Sequence, residues 1–223
     1  MTRTIVASAV PVTLLGGAQT AAPEVEIALS RAPRLVAIDG GADTALGLDL
    51  RPEAVIGDMD SISDAARRAF ADRLHRIEEQ DTTDFDKALR SVAAPLVLAV
   101  GVTGGRFDHE LAVMAVLAAH PDRPCIVLGA ETIVCLCPAR ITLDPGAGAP
   151  VSLFPLAPCR VASSGLRWPT EGLDFAPDGR IGTSNAATGP VTLAPDAAKM
   201  LLILPRAALD ALIAGLATAR GWG

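Results

Sequence analysis

Gly57-Asp58-Met59-Asp60-Ser61 closes a short apolar run, Ala54-Val55-Ile56, that reads as a buried strand reaching its carboxyl end. If the backbone stays extended for two more residues, Asp58 and Asp60 project to the same side, because side chains alternate along a strand. Two carboxylates so placed repel each other unless a proton or a cation sits between them. An oxygen-only pair suits a hard divalent ion such as Mg²⁺, completed by substrate phosphates. The competing reading is a turn at Asp58, with Asp60 or Ser61 capping a helix from Asp64 onward. The flanking segments decide between them.

Upstream, residues 12–15 read as a strand ending at Gly16-Gly17, and residues 34–38 as a second strand ending in Asp39-Gly40-Gly41-Ala42. A helix is expected over 24–30, with Val25, Ala28 and Leu29 on one face, and a short one over 44–46, stopped by Gly47. Downstream, residues 64–73 read as a helix with Ala66, Ala69 and Phe70 inward. Residues 74–78 are either its last turn or a short strand. Gln80-Asp81-Thr82-Thr83-Asp84 precedes a helix running to about Val92. The apolar run 96–102 has the signature of a strand buried on both faces. It ends in Thr103-Gly104-Gly105-Arg106-Phe107-Asp108-His109, with a helix following through Ala119, and residues 125–128 and 133–136 supply further strands.

This alternation predicts an α/β, doubly wound parallel sheet over residues 1–137. Each polar cluster falls at a strand's carboxyl end, where open α/β sheets place their ligands. After residue 137 the texture changes. Short apolar runs at 141–143, 151–154, 191–193 and 200–204, separated by Gly, Pro, Asp and Ser turns, predict a smaller all-β domain over 138–223. It closes with a helix at 207–219 that carries Leu209, Leu212, Ile213 and Leu216 on one face.

Composition excludes several classes. A net charge of −6 argues against a nucleic-acid partner, which needs a basic face. Five Phe, two Trp and no Tyr leave little for a base-stacking platform. Cys125, Cys135, Cys137 and Cys159 lack paired zinc-ligand spacing and read as reduced thiols. Residues 3–18 loosely resemble a secretory signal, but Pro11 interrupts the apolar stretch, which equally fits a first strand and turn. No uninterrupted apolar stretch reaches the ~18 residues of a membrane span. A soluble, cytoplasmic protein without a membrane partner is expected.

The clusters restrict the chemistry further. There is no GxxxxGK[ST], so phosphates would be held otherwise: by backbone N–H groups at Gly104-Gly105 and the following helix start, and by the guanidinium fork of Arg106. Alternatively, the glycines serve a tight turn and Arg106 pairs with Asp108. Lys87, one of two lysines against seventeen arginines, lies three residues after Asp84 and can form a local ion pair or touch a phosphate. Asp84 either favours a helix dipole or joins Asp58 and Asp60 as a third carboxylate. His109 reads as a capping or packing residue rather than a base.

The succession Asp39-Gly40-Gly41-Ala42, Gly57-Asp58-Met59-Asp60-Ser61, Gln80-Asp81-Thr82-Thr83-Asp84 and Thr103-Gly104-Gly105-Arg106-Phe107-Asp108-His109 resembles the thiamine pyrophosphokinase family. Gly165-Leu166-Arg167-Trp168-Pro169 and Thr183-Ser184-Asn185 extend the resemblance. It implies an α/β domain followed by a β-sandwich-like domain, a homodimer, and Mg²⁺-dependent transfer of pyrophosphate from ATP to thiamine with release of AMP. Carried over by residue, it gives Asp58, Asp60 and Asp84 the metal. Asp39, Gly40, Gly104, Gly105, Arg106 and Asp108 line ATP, with Arg106 also balancing charge in the reaction. Gln80 meets thiamine from one subunit, and Trp168 and Ser184 from the other. Trp168 could instead be a core residue of the β domain. Two departures stand out: Ala186 where relatives carry an acidic residue, and a longer ending after Pro205. The rival readings are a pyrophosphokinase for another hydroxymethyl heterocycle, such as a pterin alcohol, and a non-catalytic nucleotide or thiamine-phosphate binder.

Overall fold

The computed structural model describes residues 3–18 and 20–222. It divides into two compact units, Met1–Val116 with Cys125–Gly129, and Leu117–Pro124 with Ala130–Gly223.

The first unit runs β1 (Val6–Ala7), β2 (Val12–Leu15), α1 (Ala22–Arg31), β3 (Arg34–Ile38), α2 (Gly41–Gly47), β4 (Ala54–Gly57), α3 (Asp64–Ala69), β5 (Leu74–Arg76), α4 (Asp84–Ser91), β6 (Val92–Ala93), β7 (Val97–Val100), α5 (Phe107–Ala119) and β8 (Cys125–Leu128). Six strands pair side by side in the order β5-β4-β3-β2-β7-β8, every pair parallel. β1 and β6 form a separate two-residue parallel pair. All four residues of β2, β4, β7 and β8 are buried, which explains their apolar sequences; the one polar residue, Thr13, donates its hydroxyl to the Ala32 carbonyl at 2.7 Å. Leu98 in the middle of β7 is fully buried, and Leu98→Ala costs about 2–5 kcal/mol by lost transfer energy and cavity formation.

The helices differ from the sequence expectation at their ends. α2 starts at Gly41 rather than Thr44, because Gly41 packs directly on the end of β2: a Cβ there would lie 2.0 Å from the Leu15 carbonyl oxygen. The cap of α3 is neither Asp60 nor Ser61. It is Ser63, whose Oγ accepts from the Ala66 N–H at 3.2 Å, while Asp43 accepts from the Ser63 N–H at 2.9 Å. α3 also stops at Ala69, which is exposed. Phe70 leaves the helical conformation (φ −118°) and buries its ring, and a 3₁₀ turn over Ala71–Arg73 leads into β5. Thr83 caps α4, its Oγ1 accepting from the Asp86 N–H at 3.3 Å.

The second unit contains β9 (Thr132–Leu136), β10 (Ile141–Leu143), β11 (Pro150–Pro155), β12 (Val161–Leu166), β13 (Gly182–Pro195), β14 (Met200–Pro205) and α6 (Leu209–Thr218). Its pairings are all antiparallel, in the order β9-β14-β11-β13-β10, with β12 also on β13. The fourteen-residue β13 serves two groups of partners: Gly182–Ala186 pairs with β11, and Ala187–Pro195 with β10 and β12. β12 had no counterpart in the sequence reading. Leu209, Leu212 and Gly215 form the buried face of α6, and Gly215 sits against the Thr142 carbonyl and the Ile141 and Leu143 side chains of β10.

The four cysteines are unbridged and buried, and burial pushes the Cys135 thiol up to about 12, so it stays protonated and inert. Among the described residues, no helix is long and apolar enough to cross a membrane.

Candidate active site

The parallel register that sets Ile38 beside Ile56 brings Asp39, the first residue past β3, against the end of β4. The Asp39 N–H donates to the Ile56 carbonyl at 3.0 Å. A Cβ on Gly57 would stand 2.8 Å from the Asp39 Cβ, so glycine is what lets the two strand ends come this close. Beyond Gly57 the chain does not stay extended. Met59 turns it with a left-handed backbone (φ 70°), its side chain buried and its carbonyl held by Arg67 Nη2 at 2.7 Å. The Asp60 N–H then donates back to Asp58 Oδ1 at 3.1 Å. Asp58 and Asp60 are thus neighbours through a tight turn, not through strand alternation. Asp39 is itself left-handed (φ 41°). Asp39, Asp58 and Asp60 each present one carboxylate oxygen within 4.8 Å of the others.

The charges around this trio are uneven. Asp39 Oδ2 accepts from the Ser61 N–H at 3.1 Å, whereas Oδ1 is buried with no hydrogen-bond partner. Burial, then the nearby Asp84 charge, raise the Asp39 pKa. Asp58 is held below the usual carboxylate range: burial opposes this, but the Gln80 amide, the Asp60 N–H and the Lys87 ammonium together outweigh it. Gln80 Nε2 donates to Asp58 Oδ2 at 3.1 Å. Lys87 is only 1% exposed, with Nζ 3.0 Å from Asp84 Oδ1 and 3.6 Å from Asp58 Oδ2. Burial acts against its charge, but the Asp84 hydrogen bond and the charges of Asp84, Asp58 and Glu79 raise its pKa overall. Asp84 Oδ1 also accepts from the Asp58 N–H at 3.1 Å. Asp84 therefore braces Asp58 and neutralises Lys87, while Asp39 completes the close trio. An orphaned buried carboxylate oxygen beside two more carboxylates fits a hard divalent cation.

Glu79, to which the sequence drew no attention, ties down the loop leading to α4. Its carboxylate accepts from the N–H groups of Asp81 (3.0 Å) and Thr82 (3.2 Å) and from Thr82 Oγ1 (2.5 Å), and it pairs with Arg90 at 2.7 Å. Its only sequence trace is the Glu79-x-x-Thr82 spacing.

At the end of β7, Gly104 adopts φ 89° and donates its N–H to Glu110 Oε1 at 2.9 Å. Arg106 forms a two-point ion pair with Asp108, at 3.1 and 2.6 Å, both side chains mostly exposed. Gly105 is exposed and Gly40 half-buried. α5 starts at Phe107, so His109 lies in its first turn with its N–H on Asp108 Oδ1.

In the second unit Trp168 is 53% exposed, which removes the core-residue reading. Asn185 fixes it by its backbone: Asn185 Oδ1 accepts from the Trp168 N–H at 3.1 Å and Nδ2 donates to its carbonyl at 2.7 Å. The same Oδ1 accepts from the Ala186 N–H at 2.8 Å. The Arg167 guanidinium lies 4.9 Å from the Trp168 ring centroid. Ser184 is exposed, left-handed (φ 64°), and donates its N–H to Ser152 Oγ at 3.0 Å.

Residues 25–128 match the family model described as thiamin pyrophosphokinase, catalytic domain, and residues 139–197 that described as thiamin pyrophosphokinase, vitamin B1 binding domain. The chain belongs to the thiamin pyrophosphokinase family. It is similar to thiamine pyrophosphokinase 1 of Arabidopsis thaliana, 30% identical over 159 residues, or 60% of this chain and 58% of the relative. Thiamine pyrophosphokinase of Bacillus subtilis is 36% identical over 83 residues, 34% of this chain and 39% of that protein. The alignment thus spans less than two thirds of these curated relatives. Among solved structures, thiamin pyrophosphokinase from Candida albicans superimposes with a TM-score of 0.75 at 15% identity, covering 92% of this chain and 93% of that one. The enzyme from Geobacillus thermodenitrificans gives 0.70 at 23% identity, with 87% and 96% covered. Thiamin pyrophosphokinases therefore share this fold.

Proposed function

We propose that this protein is a thiamine pyrophosphokinase, transferring pyrophosphate from ATP to the hydroxyl of thiamine to give thiamine diphosphate and AMP. The observation that carries the reading is the Asp39–Asp58–Asp60 trio at adjoining ends of β3 and β4, in a chain whose two parts match the catalytic and vitamin B1-binding models of one family. In this reading residues 1–137 handle ATP and Mg²⁺ on a doubly wound α/β sheet. Its strand order reverses between β2 and β7, the kind of crevice in which such sheets hold ligands. Residues 138–223, sandwich-like, handle thiamine. The protein acts as a cytoplasmic homodimer, in which Gln80 of one subunit and Trp168 and Ser184 of the other meet the acceptor.

Asp58 and Asp60 would hold Mg²⁺ together with Asp39, whose buried Oδ1 has no other partner. Asp84, whose Oδ1 engages Lys87 and the Asp58 N–H, would add its carboxylate through Oδ2. When bound, the ion neutralises charge on the phosphate oxygens. The remaining work falls to the protein's own groups. The thiamine hydroxyl oxygen bonds to the β-phosphorus and releases its proton to solvent as the bond from that phosphorus to the α-bridging oxygen breaks, and AMP leaves with that oxygen. In-line positioning and charge balance supply most of the acceleration. Arg106 exchanges Asp108 for the phosphates of ATP, and the Gly104 and Gly105 N–H groups and Gly40 line the nucleotide. Lys87 keeps positive charge beside Asp58 while the phosphates are in place. Trp168 offers a flat apolar face to the heterocycle, with Ser184 and Gln80 as orienting polar groups.

Purified protein incubated with ATP, Mg²⁺ and a panel of alcohols separates the readings. AMP released with thiamine alone supports this one. AMP released with a pterin alcohol in place of thiamine, or no AMP with any acceptor, overturns it.

A further inference from the structure

A cleft of about 610 Å³ lies within the first unit, between the end of edge strand β5, the end of α4 and the segment leading into β1, and Arg76 joins it to the turn after β4 by donating from Nε to the Asp58 carbonyl at 3.2 Å. Its polar lining comes from Arg3, His75, Arg76, Arg90 and Ser91, and Ile5 and Ile77 provide apolar wall. No acidic residue lines it, although the chain as a whole carries a net charge of −6. Two groups in the lining are buried without a hydrogen-bond partner: the Ser91 Oγ and the Arg90 Nε. Such orphans are uncommon in folded proteins, and a donor-rich, acid-free cleft with two of them is built to receive acceptor oxygens. Arg3 and His75 are also electrostatically coupled: burial first, then the Arg3 charge, lower the His75 pKa.

We propose that this cleft is an anion site that takes a phosphate group, inorganic or carried on a small ester, with a lining that shares no side chain with the carboxylate trio. The oxygens of a phosphate dianion suit the guanidinium fork of Arg3 and the Nη1 of Arg76, which exchanges Glu78, 3.3 Å away, for the anion, with the Ser91 hydroxyl and the Arg90 Nε completing the shell. The two isoleucines leave room beside the anion for a small apolar substituent. Arg90 gives the site a route to the loop before α4, because its Nη2 holds Glu79, which in turn orders Asp81 and Thr82.

The histidine side chains report occupancy directly. The sequence contains three, His75, His109 and His120, so their resonances are assigned by single His→Gln variants. Inorganic phosphate is titrated into the metal-free protein at constant pH and ionic strength, followed by a methyl phosphate ester. The expected result is a saturable shift of the His75 resonances, with affinity falling about tenfold or more in Arg3→Ser and in Ser91→Ala, both retaining the wild-type backbone spectrum. Tighter binding of the ester than of phosphate identifies the isoleucine wall as part of the site, and equal binding assigns it to phosphate alone. No saturable movement of His75, movement confined to His109 beside Arg106, or an isotherm unchanged in Arg3→Ser overturns the proposal.

Discussion

Lys87 Nζ donates to Asp84 Oδ1 at 3.0 Å from a side chain that is almost wholly buried. The pair stands directly behind the carboxylate trio, and Asp58 lies within reach of the same ammonium. Lys87→Met leaves Asp58 and Asp84 facing each other without a counter-charge. The expected cost is about 3 kcal/mol, typical of breaking a buried pair from one side. Urea unfolding measures it, and Asp84→Asn added to Lys87→Met should recover part of the loss.

Asp39 offers a contrast between stability and function. Its folded pKa is raised, so its charged form disfavours the metal-free fold at neutral pH, and that cost disappears as pH falls and the group protonates in both states. Asp39→Asn tolerates the left-handed backbone and keeps an acceptor for Ser61. The variant should be at least as stable as the parent at pH 7 without metal, yet need roughly tenfold more Mg²⁺ for half-maximal activity. Thermal unfolding and a Mg²⁺ titration of turnover read the two effects separately.

Much of the scaffold was legible because burial on both faces leaves a continuous apolar run: residues 12–15, 34–38 and 125–128 are strands with the bounds read from sequence. β12 was not legible. Val-Ala-Ser-Ser-Gly-Leu carries small polar residues and a left-handed Gly165 (φ 77°), with a register shift against β13 between Ser164 and Leu166. The carboxylate pair at 58 and 60 was legible as chemistry, but its geometry was not. A left-handed Met59 is imposed by tertiary contacts, and Asp39 joins through a strand register that links positions far apart in sequence. The Asp84–Lys87 ion pair was legible from their three-residue spacing, whereas the near-complete burial of Lys87 and its approach to Asp58 were not.

Asn185 is a positioning residue for Trp168, gripping its N–H and carbonyl together. Asn185→Ala should raise KM for thiamine about tenfold while kcat stays within about twofold, since the ring is displaced but the phosphate machinery is untouched. Trp168→Ala should raise KM further. The second tryptophan, Trp222, donates to the Cys137 carbonyl, so Trp222→Phe isolates Trp168 fluorescence as a direct binding signal.

Glu79 predicts a pH dependence of stability. The Thr82 hydroxyl, against a burial cost, and then Arg90 and the Asp81 N–H lower its pKa from 4.5 to about 2. With the folded value below the unfolded one, its stabilisation is complete above about 4.5 and is lost as pH falls towards 2. Glu79→Gln should therefore be less stable than the parent at pH 7, and the two urea midpoints should converge between pH 4.5 and 2.

The most direct test of the central claim is product analysis by phosphorus NMR of the protein with ATP, Mg²⁺ and thiamine, run beside Asp60→Asn. The account predicts one AMP for each thiamine diphosphate and no ADP from the parent, with turnover severely reduced in a folded Asp60→Asn. Formation of ADP with thiamine monophosphate, or near-normal Mg²⁺-dependent turnover in Asp60→Asn, would contradict it.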